Sequence, residues 1–272
     1  RNLELCETMR SKSKKGSLLW VLDKTKTAMG KRLLRSWLIQ PLLSPTEIIA
    51  RHNAVDEIFS DTVLRGEMTE YLTGIFDIER LMTRVVYGVA NPKELQSLAR
   101  TISRFAPLKQ LLQTANCKML KEIEGDIDVL EDVAARIEET ICDEPPISMK
   151  DGKIIREGFN ADVDLLRKDL TGGKDYITEI ETKEKERTGI KALKVRYNKV
   201  FGYYIEVPAQ YSNSVPEEYI RKQTLVNAER YITDELKKME DMIIGGEERL
   251  IRLENQAFTE VRNYVADYSE SL

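Results

Sequence analysis

Residues 188–238 decide the fold, and they read TGIKALKVRYNKVFGYYIEVPAQYSNSVPEEYIRKQTLVNAERYITDELKK. Alternation predicts a first strand with one apolar and one polar face. The apolar side chains are Leu193, Val195 and Tyr197, and the polar ones are Lys194, Arg196 and Asn198. A partner strand at 203–207 follows a tight connection in which Gly202 can supply a positive φ. With a further extended segment at 219–227, the stretch predicts a small antiparallel sheet.

This β unit is locally basic within an acidic chain. The 272 residues hold 42 Lys and Arg against 46 Asp and Glu, a net charge of −4, so overall charge gives no case for nucleic acid. Residues 191–230 hold seven basic and four acidic side chains. Two interpretations stay open: cations that neutralise phosphates, or ordinary solvated strand faces. Residue types alone favour the solvated faces.

Two long helices flank the sheet. The first begins at the cap Asn160 and the second at Thr233–Glu235, and each contains a glycine pair, Gly172–Gly173 or Gly245–Gly246. The pairs predict a weakened or bent helix, although close packing of helices explains them equally well. The end of the first helix, residues 181–187, is charged all round and is expected to stand in water.

The first half of the chain predicts a compact helical domain. Two N-terminal capping boxes stand at residues 44–47 and 91–94, and Trp20 and Trp37 are expected to be core anchors. A stripe at helical spacing predicts one long helix that Pro145–Pro146 ends; it consists of Ile123, Ile127, Leu130, Val133, Ile137 and Ile141. A hairpin is predicted to turn at Asp151–Gly152.

The predicted fold class is therefore mainly α. It has a helical core domain, long lever helices and a small antiparallel β clamp inserted at their far end. The predicted boundaries are 1–145 for the first part of the core and lever, 146–232 for the clamp, and 233–272 for the lever helix that returns to the core.

No pattern in the sequence indicates catalysis. Residues 171–175, TGGKD, lack the first glycine and the hydroxyl of a phosphate-binding loop and are interpreted as a helix break. His52 has no nucleophile paired with it, and Cys6, Cys117 and Cys142 lack metal-ligand spacing. The odd cysteine count suits a reducing cytosol, so a cytoplasmic protein is expected. No apolar run could span a membrane. The chain starts without Met and is expected to be a fragment.

Several motifs resemble the MutS family of bacterial DNA mismatch-repair proteins, and together they span nearly the whole chain. They are RNLEL at 1–5, GSLLWVLD at 16–23, TAMG at 27–30, RLLRSWL at 32–38, NP at 91–92, GIK at 189–191, FGYYI at 201–205, RKQTL at 221–225 and NAERYI at 227–232.

The resemblance implies a lever domain with an inserted clamp that touches the backbone of duplex DNA without reading its sequence. The DNA contacts that it implies are Lys194, Asn198, Lys199, Arg221, Lys222, Gln223, Thr224 and Asn227; Arg196 is added on its charge. It also implies that the mismatch wedge and the ATPase, with ATP and Mg²⁺, belong to domains absent here. This chain is then expected to have no cofactor, metal or enzymatic activity.

The partners implied are double-stranded DNA, mismatched DNA through the full-length protein, a second copy of that protein and a MutL-type repair protein. The alternative function is a structural coiled-coil arm that binds a protein through its apolar stripes.

Overall fold

The computed structural model describes residues 3–198, 200 and 202–271, and the backbone alone of Lys174. Helices make up 61% of the chain and the four strands form one antiparallel sheet, so the mainly α class with an inserted β unit is confirmed. The chain divides into two compact units. Unit 1 comprises 1–149 and 257–272, and unit 2 comprises 150–256.

Unit 1 contains nine helices within residues 3–149. They are α1 (Leu18–Leu22), α2 (Ala28–Ile39), α3 (Pro45–Ser60), α4 (Thr62–Thr73), α5 (Ile78–Val86), α6 (Pro92–Ile102), α7 (Phe105–Gln113), α8 (Lys118–Asp126) and α9 (Glu131–Thr140). The capping box at Asn91 and Glu94 is confirmed, with both reciprocal hydrogen bonds present. The box at Ser44 is wrong: α3 does start at Pro45, but no side chain caps it.

The tryptophans do not anchor the core. Trp20 is 48% exposed and Trp37 is 38% exposed, and the guanidinium of Arg51 lies 3.6 Å from the centre of a Trp37 ring. Helix α2 contributes no buried residue at all. Nearby leucines therefore did not predict burial, because Leu18, Leu22 and Leu33 on these short helices are themselves exposed.

The apolar stripe from Ile123 to Ile141 lies on two helices rather than one. Residues 127–130 separate α8 from α9, and Leu130 adopts a left-handed conformation with φ of 47°. The Asp128 side chain accepts a hydrogen bond from the Leu130 N–H at 3.3 Å, and this local bond competes with helix continuation. The hairpin expected at Asp151–Gly152 is also wrong, since Met149–Asp151 forms a 3-10 turn.

Two long helices dominate unit 2. Helix α10 (Ala161–Thr188) extends about 42 Å, and α11 (Asp234–Ala266) extends about 50 Å and ends in unit 1. The Asn160 side chain caps α10 by accepting hydrogen bonds from the N–H groups of Asp162 and Val163, as predicted.

Neither glycine pair interrupts its helix, so the predicted break at 171–175 is wrong. One member of each pair permits close packing: a Cβ on Gly246 would lie 2.7 Å from Leu170 Cδ2, and one on Gly173 would lie 3.3 Å from Ile243 Cγ1. A Cβ on Gly172 or Gly245 would meet open space. The packing explanation therefore holds for half of each pair.

Between the long helices, the chain forms a sheet in the order β1-β2-β4-β3. The strands are β1 (Lys194–Asn198), β2 (Gly202–Pro208), β3 (Ile220–Thr224) and β4 (Ala228–Ile232). All neighbours are antiparallel, and an irregularity between Arg221 and Gln223 leaves Lys222 without a partner on β4. One face covers a core of Ile190, Leu193, Ile205, Val207, Tyr219, Tyr231 and Leu236.

Candidate nucleic-acid interface

The register places polar side chains together on the sheet face opposite this core. Lys194 and Arg196 on β1 lie opposite Glu206 and Tyr204 on β2, Glu206 lies opposite Arg230 on β4, and Arg230 lies opposite Gln223 on β3. Because paired residues share a face, these side chains project to the same side. We call this the open face, defined by Lys194, Arg196, Glu206, Gln223 and Arg230.

Glu206 is shared by two arginines at the centre of the open face. Its carboxylate lies 3.4 Å from Arg196 Nε and 3.7 Å from Arg230 Nε. Arg230 also donates to Gln223 Oε1 at 2.8 Å, and its guanidinium carbon lies 4.5 Å from the centre of the Tyr204 ring. Three cations therefore face one carboxylate, and Lys194 has no ion-pair partner among the described residues.

Arg221 lies on the opposite face from the other predicted arginine. It is opposite Tyr231 in the register, and its guanidinium donates to Glu229 Oε1 at 3.2 Å. Tyr231 donates to the other oxygen of Glu229. Burial, together with Glu229, raises the pKa of Tyr231 to about 12, so the phenol stays a donor at neutral pH. In the predicted basic pair, Arg221 thus already has an acidic partner, whereas Lys222 is exposed.

The remaining predicted residues separate to the two ends of the sheet. Asn198 is opposite Gly202 at the start of β2, whereas the Asn227 carbonyl accepts a hydrogen bond from Ala209 just beyond its end. At about 3.3 Å per residue, the two ends are about 23 Å apart. Asn198 Oδ1 accepts from the Val200 N–H at 2.8 Å, which gives it a role in the turn.

Thr224 and Asn227 are exposed at the far end, on either side of the exposed Val226. Lys199 lies outside the described residues.

Three glutamates from the long helices hold the sheet. Glu181 on α10 accepts a hydrogen bond from the Val195 N–H at 2.8 Å, and Glu240 on α11 accepts one from the Tyr203 N–H at 3.1 Å. Glu184 accepts one from the Tyr219 hydroxyl at 2.6 Å. We call these three residues the carboxylate clasp. A hydrogen bond to a charged group is worth about 1.5–3 kcal/mol, so the clasp binds the sheet firmly to both helices.

The clasp corrects the expectation that residues 181–187 stand in water, because Glu184 is buried. Burial alone would raise the pKa of Glu181, but hydrogen bonds from Lys185 and the Val195 N–H outweigh it and hold that pKa below its usual range. Burial and then Glu184 raise the pKa of Tyr219.

Gly202 meets the clasp at the start of β2. Its φ of 73° is the positive value predicted from the sequence. A Cβ at this position would lie 2.2 Å from Glu240 Oε1, so only glycine lets the helix carboxylate reach the Tyr203 N–H.

Farther along the helices, a buried ion pair joins α10 to α11. Arg167 Nη2 contacts Glu254, which is fully buried, and the same nitrogen donates to the Ile155 carbonyl at 2.7 Å. Glu254 also accepts from the Ile154 N–H at 3.4 Å. The pair therefore ties three segments of unit 2 together.

In unit 1, the end of α11 is held by hydrogen bonds. Tyr268 and Tyr264 donate to Asp132 Oδ2 at 2.9 and 3.2 Å, and Arg262 donates to the Gly88 carbonyl at 2.6 Å. Hydrogen bonds from Tyr268 above all, and then from the Val133 N–H, hold the pKa of Asp132 below its usual range.

Comparison with known proteins decides the family. The family model described as MutS domain III matches residues 1–272. The chain belongs to the MutS family.

The relatives carry one name. The DNA mismatch repair protein MutS of Lachnoclostridium phytofermentans is 53% identical over 267 residues, which are 98% of this chain and 29% of that protein. The proteins of the same name from Acetivibrio thermocellus and Clostridium botulinum (strain Loch Maree) are 51% and 50% identical over 98% of this chain, and 31% and 29% of their lengths are covered. The chain thus spans about 30% of these curated relatives.

In the part of this MutS-family chain that the structure describes, potential metal ligands are dispersed. No group of three or more potential metal ligands occurs among the described residues, and His52 is exposed. In the same part of the chain, no helix is long and apolar enough to cross a membrane.

Sequence reasoning missed Glu206 and Arg230 as members of this surface. The signal was available, because Lys194 and Arg196 fix the polar side of β1, and antiparallel pairing carries that side onto β2 and β4. What the sequence could not supply was the register, without which the two residues have no assigned face.

Proposed function

We propose that the sheet of this MutS-family chain holds the phosphate backbone of duplex DNA without reading sequence, and that α10 and α11 serve as levers that move it. The observation that carries the proposal is the open face, where three cations meet a single carboxylate on a rigid sheet. Lys and Arg neutralise phosphates at any base sequence.

The polar neighbours suit this role. Gln223 fixes the Arg230 guanidinium by accepting its hydrogen bond at 2.8 Å, and Lys222 and Asn227 are exposed farther along the β3–β4 hairpin. Amide and ammonium groups of this kind position a duplex through its phosphates. Arg221, Thr224, Asn198 and Lys199 remain proposed contacts, of which Arg221 would have to share its charge with Glu229.

The lever role rests on the carboxylate clasp. Glu181 and Glu184 on α10 and Glu240 on α11 hydrogen-bond directly to the sheet segment, so a displacement of either helix would be passed to the sheet. Coupling over distance needs stiff elements of this kind.

The relatives' name connects the family with DNA mismatch repair. We extend the proposal to a longer protein in which other domains recognise mismatched DNA, bind ATP and Mg²⁺, pair two copies and engage a MutL-type partner in the cytoplasm. By itself this chain is proposed to hydrolyse no ATP, and detectable turnover by the purified chain would overturn that statement.

The test is a fluorescence-anisotropy titration of labelled homoduplex and mismatched DNA at several salt concentrations. The test variant is Lys194→Gln/Arg196→Gln. Its matched control, Lys168→Gln/Lys238→Gln, removes two exposed cations from the helices of the same unit. We expect weak binding, with a Kd of about 10⁻⁴ M or higher at physiological salt.

Both duplexes should bind equally, and the test variant should reduce the slope of log K against log salt by about 2, because each lost phosphate contact contributes about 0.9. An unchanged slope in the test variant would refute the proposed interface. If neither duplex binds even at low salt, the result would instead favour the alternative, a structural coiled-coil arm that binds a protein partner.

A further inference from the structure

The most basic stretch of the chain lies in unit 1, far in sequence from the sheet. Residues 10–35 contain nine Lys and Arg and a single acid, Asp23, whereas the rest of the chain contains 33 Lys and Arg against 45 Asp and Glu. Such a contrast concentrates positive potential in one segment of an acidic protein. We call residues 10–35 the basic segment.

Few of these cations have acidic partners. Lys14 and Lys31 face Asp23, and Arg32 forms ion pairs with Asp77 and Glu79. Hydrogen bonds from Lys14 and then Thr25 lower the pKa of Asp23 to about 2, so this carboxylate is charged and already paired within the segment. The cations that are exposed without an ion-pair partner in the described part of the chain are Arg10, Lys12, Lys15, Lys24, Lys26 and Arg35.

The segment is built on hydrogen bonds. The Thr8 N–H donates to the Ser13 carbonyl at 2.9 Å, and the Lys12 N–H donates to the Thr8 carbonyl at 3.0 Å, which closes a loop that carries Arg10 and Lys12. Ser17, almost fully buried, donates to the Lys14 carbonyl at 2.7 Å and caps α1. The backbone that carries Arg10, Lys12 and Lys15 is therefore held by local hydrogen bonds, so binding has to order mainly the side chains.

We propose that the basic segment is a second surface for duplex DNA, which binds the phosphate backbone independently of the sheet. Four of its six unpaired cations are lysines, a residue depleted from protein–protein interfaces but suited to phosphates. Because the relatives are named as DNA mismatch repair proteins, we take DNA to be the polyanion that this segment binds.

The test compares two triple variants of the whole chain, each of which removes three exposed lysines from unit 1. The test variant is Lys12→Gln/Lys15→Gln/Lys26→Gln, and the matched control is Lys93→Gln/Lys118→Gln/Lys121→Gln. Both change the net charge equally. Binding to a 20-base-pair duplex is measured by anisotropy from 20 to 200 mM salt, with polyglutamate of the same charge as a second probe.

The expected result is a reduction of the salt slope by 2 to 3 in the test variant, about 0.9 per lost contact, together with no more than a small change in the control. Equal effects of the two variants would overturn the proposal. So would a test variant that weakens polyglutamate binding and leaves duplex binding unchanged.

The two DNA proposals can fail separately. If Lys194→Gln/Arg196→Gln has no effect and the basic-segment variant reduces the slope, the sheet interface is refuted and the basic segment stands. If the sheet variant alone reduces the slope, the outcome is reversed. Additive reductions in a combined variant would support two independent surfaces.

Discussion

Glu240 on α11 accepts a hydrogen bond from the backbone N–H of Tyr203 at 3.1 Å, across 37 positions of sequence. Lys237 donates to the other carboxylate oxygen at 3.1 Å, and the glutamate is buried. One side chain of α11 therefore fixes the position of the β1–β2 hairpin.

This contact predicts a compensating pair of mutations. Glu240→Ala should lower the free energy of unfolding by about 2 kcal/mol, because it removes the charged acceptor of the Tyr203 N–H. Gly202→Ala should also destabilise, since the new methyl would meet the carboxylate and φ is positive. In a double-mutant cycle measured by urea denaturation, the combined loss should be smaller than the sum, and strict additivity would contradict the contact.

The buried ion pair between Arg167 and Glu254 should behave asymmetrically. Arg167→Met leaves a fully buried carboxylate without its partner and should cost about 3–5 kcal/mol. Arg167→Met/Glu254→Leu removes both charges and should recover most of that loss. The measurement is the denaturation midpoint of each variant; a double variant no more stable than the single one would count against this account.

Adjacent glycines on α11 should respond in opposite directions to alanine. Gly245→Ala should stabilise by about 0.5–1 kcal/mol, because its Cβ meets open space and alanine is the better helix former. Gly246→Ala should destabilise, because its Cβ would press on the buried Leu170. Each serves as the control of the other in thermal unfolding, and equal shifts in Tm would show that helix packing does not require Gly246.

Glu181 should stabilise the folded state at neutral pH and lose that contribution in acid. Its pKa is lowered in the folded state, so its contribution is fully present above its unfolded pKa of about 4.3 and is lost as pH falls through the lowered folded value. Lys185 and Lys194 both favour the charged form of Glu181. The stability gap between wild type and Glu181→Gln should therefore be constant from pH 7 to 5 and shrink below pH 4. A pH-independent gap would contradict this.

The open face predicts a substitution that should strengthen DNA binding. Glu206→Gln removes its only carboxylate and should tighten duplex binding several-fold at low salt, because Arg196 and Arg230 would no longer share their charge with it. Glu217→Gln, at an exposed position in the same unit, is the control for net charge. Equal gains in the two variants would indicate a general charge effect.

The sequence predicted what depends on local pattern. Alternation located β1 and β2, Asn160 marked the start of α10, and the Asn91 box marked the start of α6. It failed where a residue's neighbours come from elsewhere in the chain. The apolar spacing from Ile123 to Ile141 gave no sign of the turn at Leu130, and the exposure of Trp20 depends on which helices pack over it.

The candidate interface shows the same division. The family resemblance pointed to Lys194 and Gln223, and charge pointed to Arg196. The separation of Arg221 onto the core face follows instead from pairing and from the irregularity at Lys222. The burial of Glu184 could not be read from a run of charged residues, because its partner Tyr219 lies 35 positions away. The basic segment was missed in the sequence, although charge counts alone would have located it.

Glu181 has one more consequence, for the outer edge of β1. The Val195 N–H points away from β2, and the glutamate occupies the place where the carbonyl of another strand could attach. On the opposite edge, the bulge at Lys222 interrupts the regular spacing of β3 and adds a charge. Features at both edge strands of the sheet thus disfavour the addition of another strand. Two copies of this sheet brought close together can therefore remain separate instead of pairing edge to edge and aggregating.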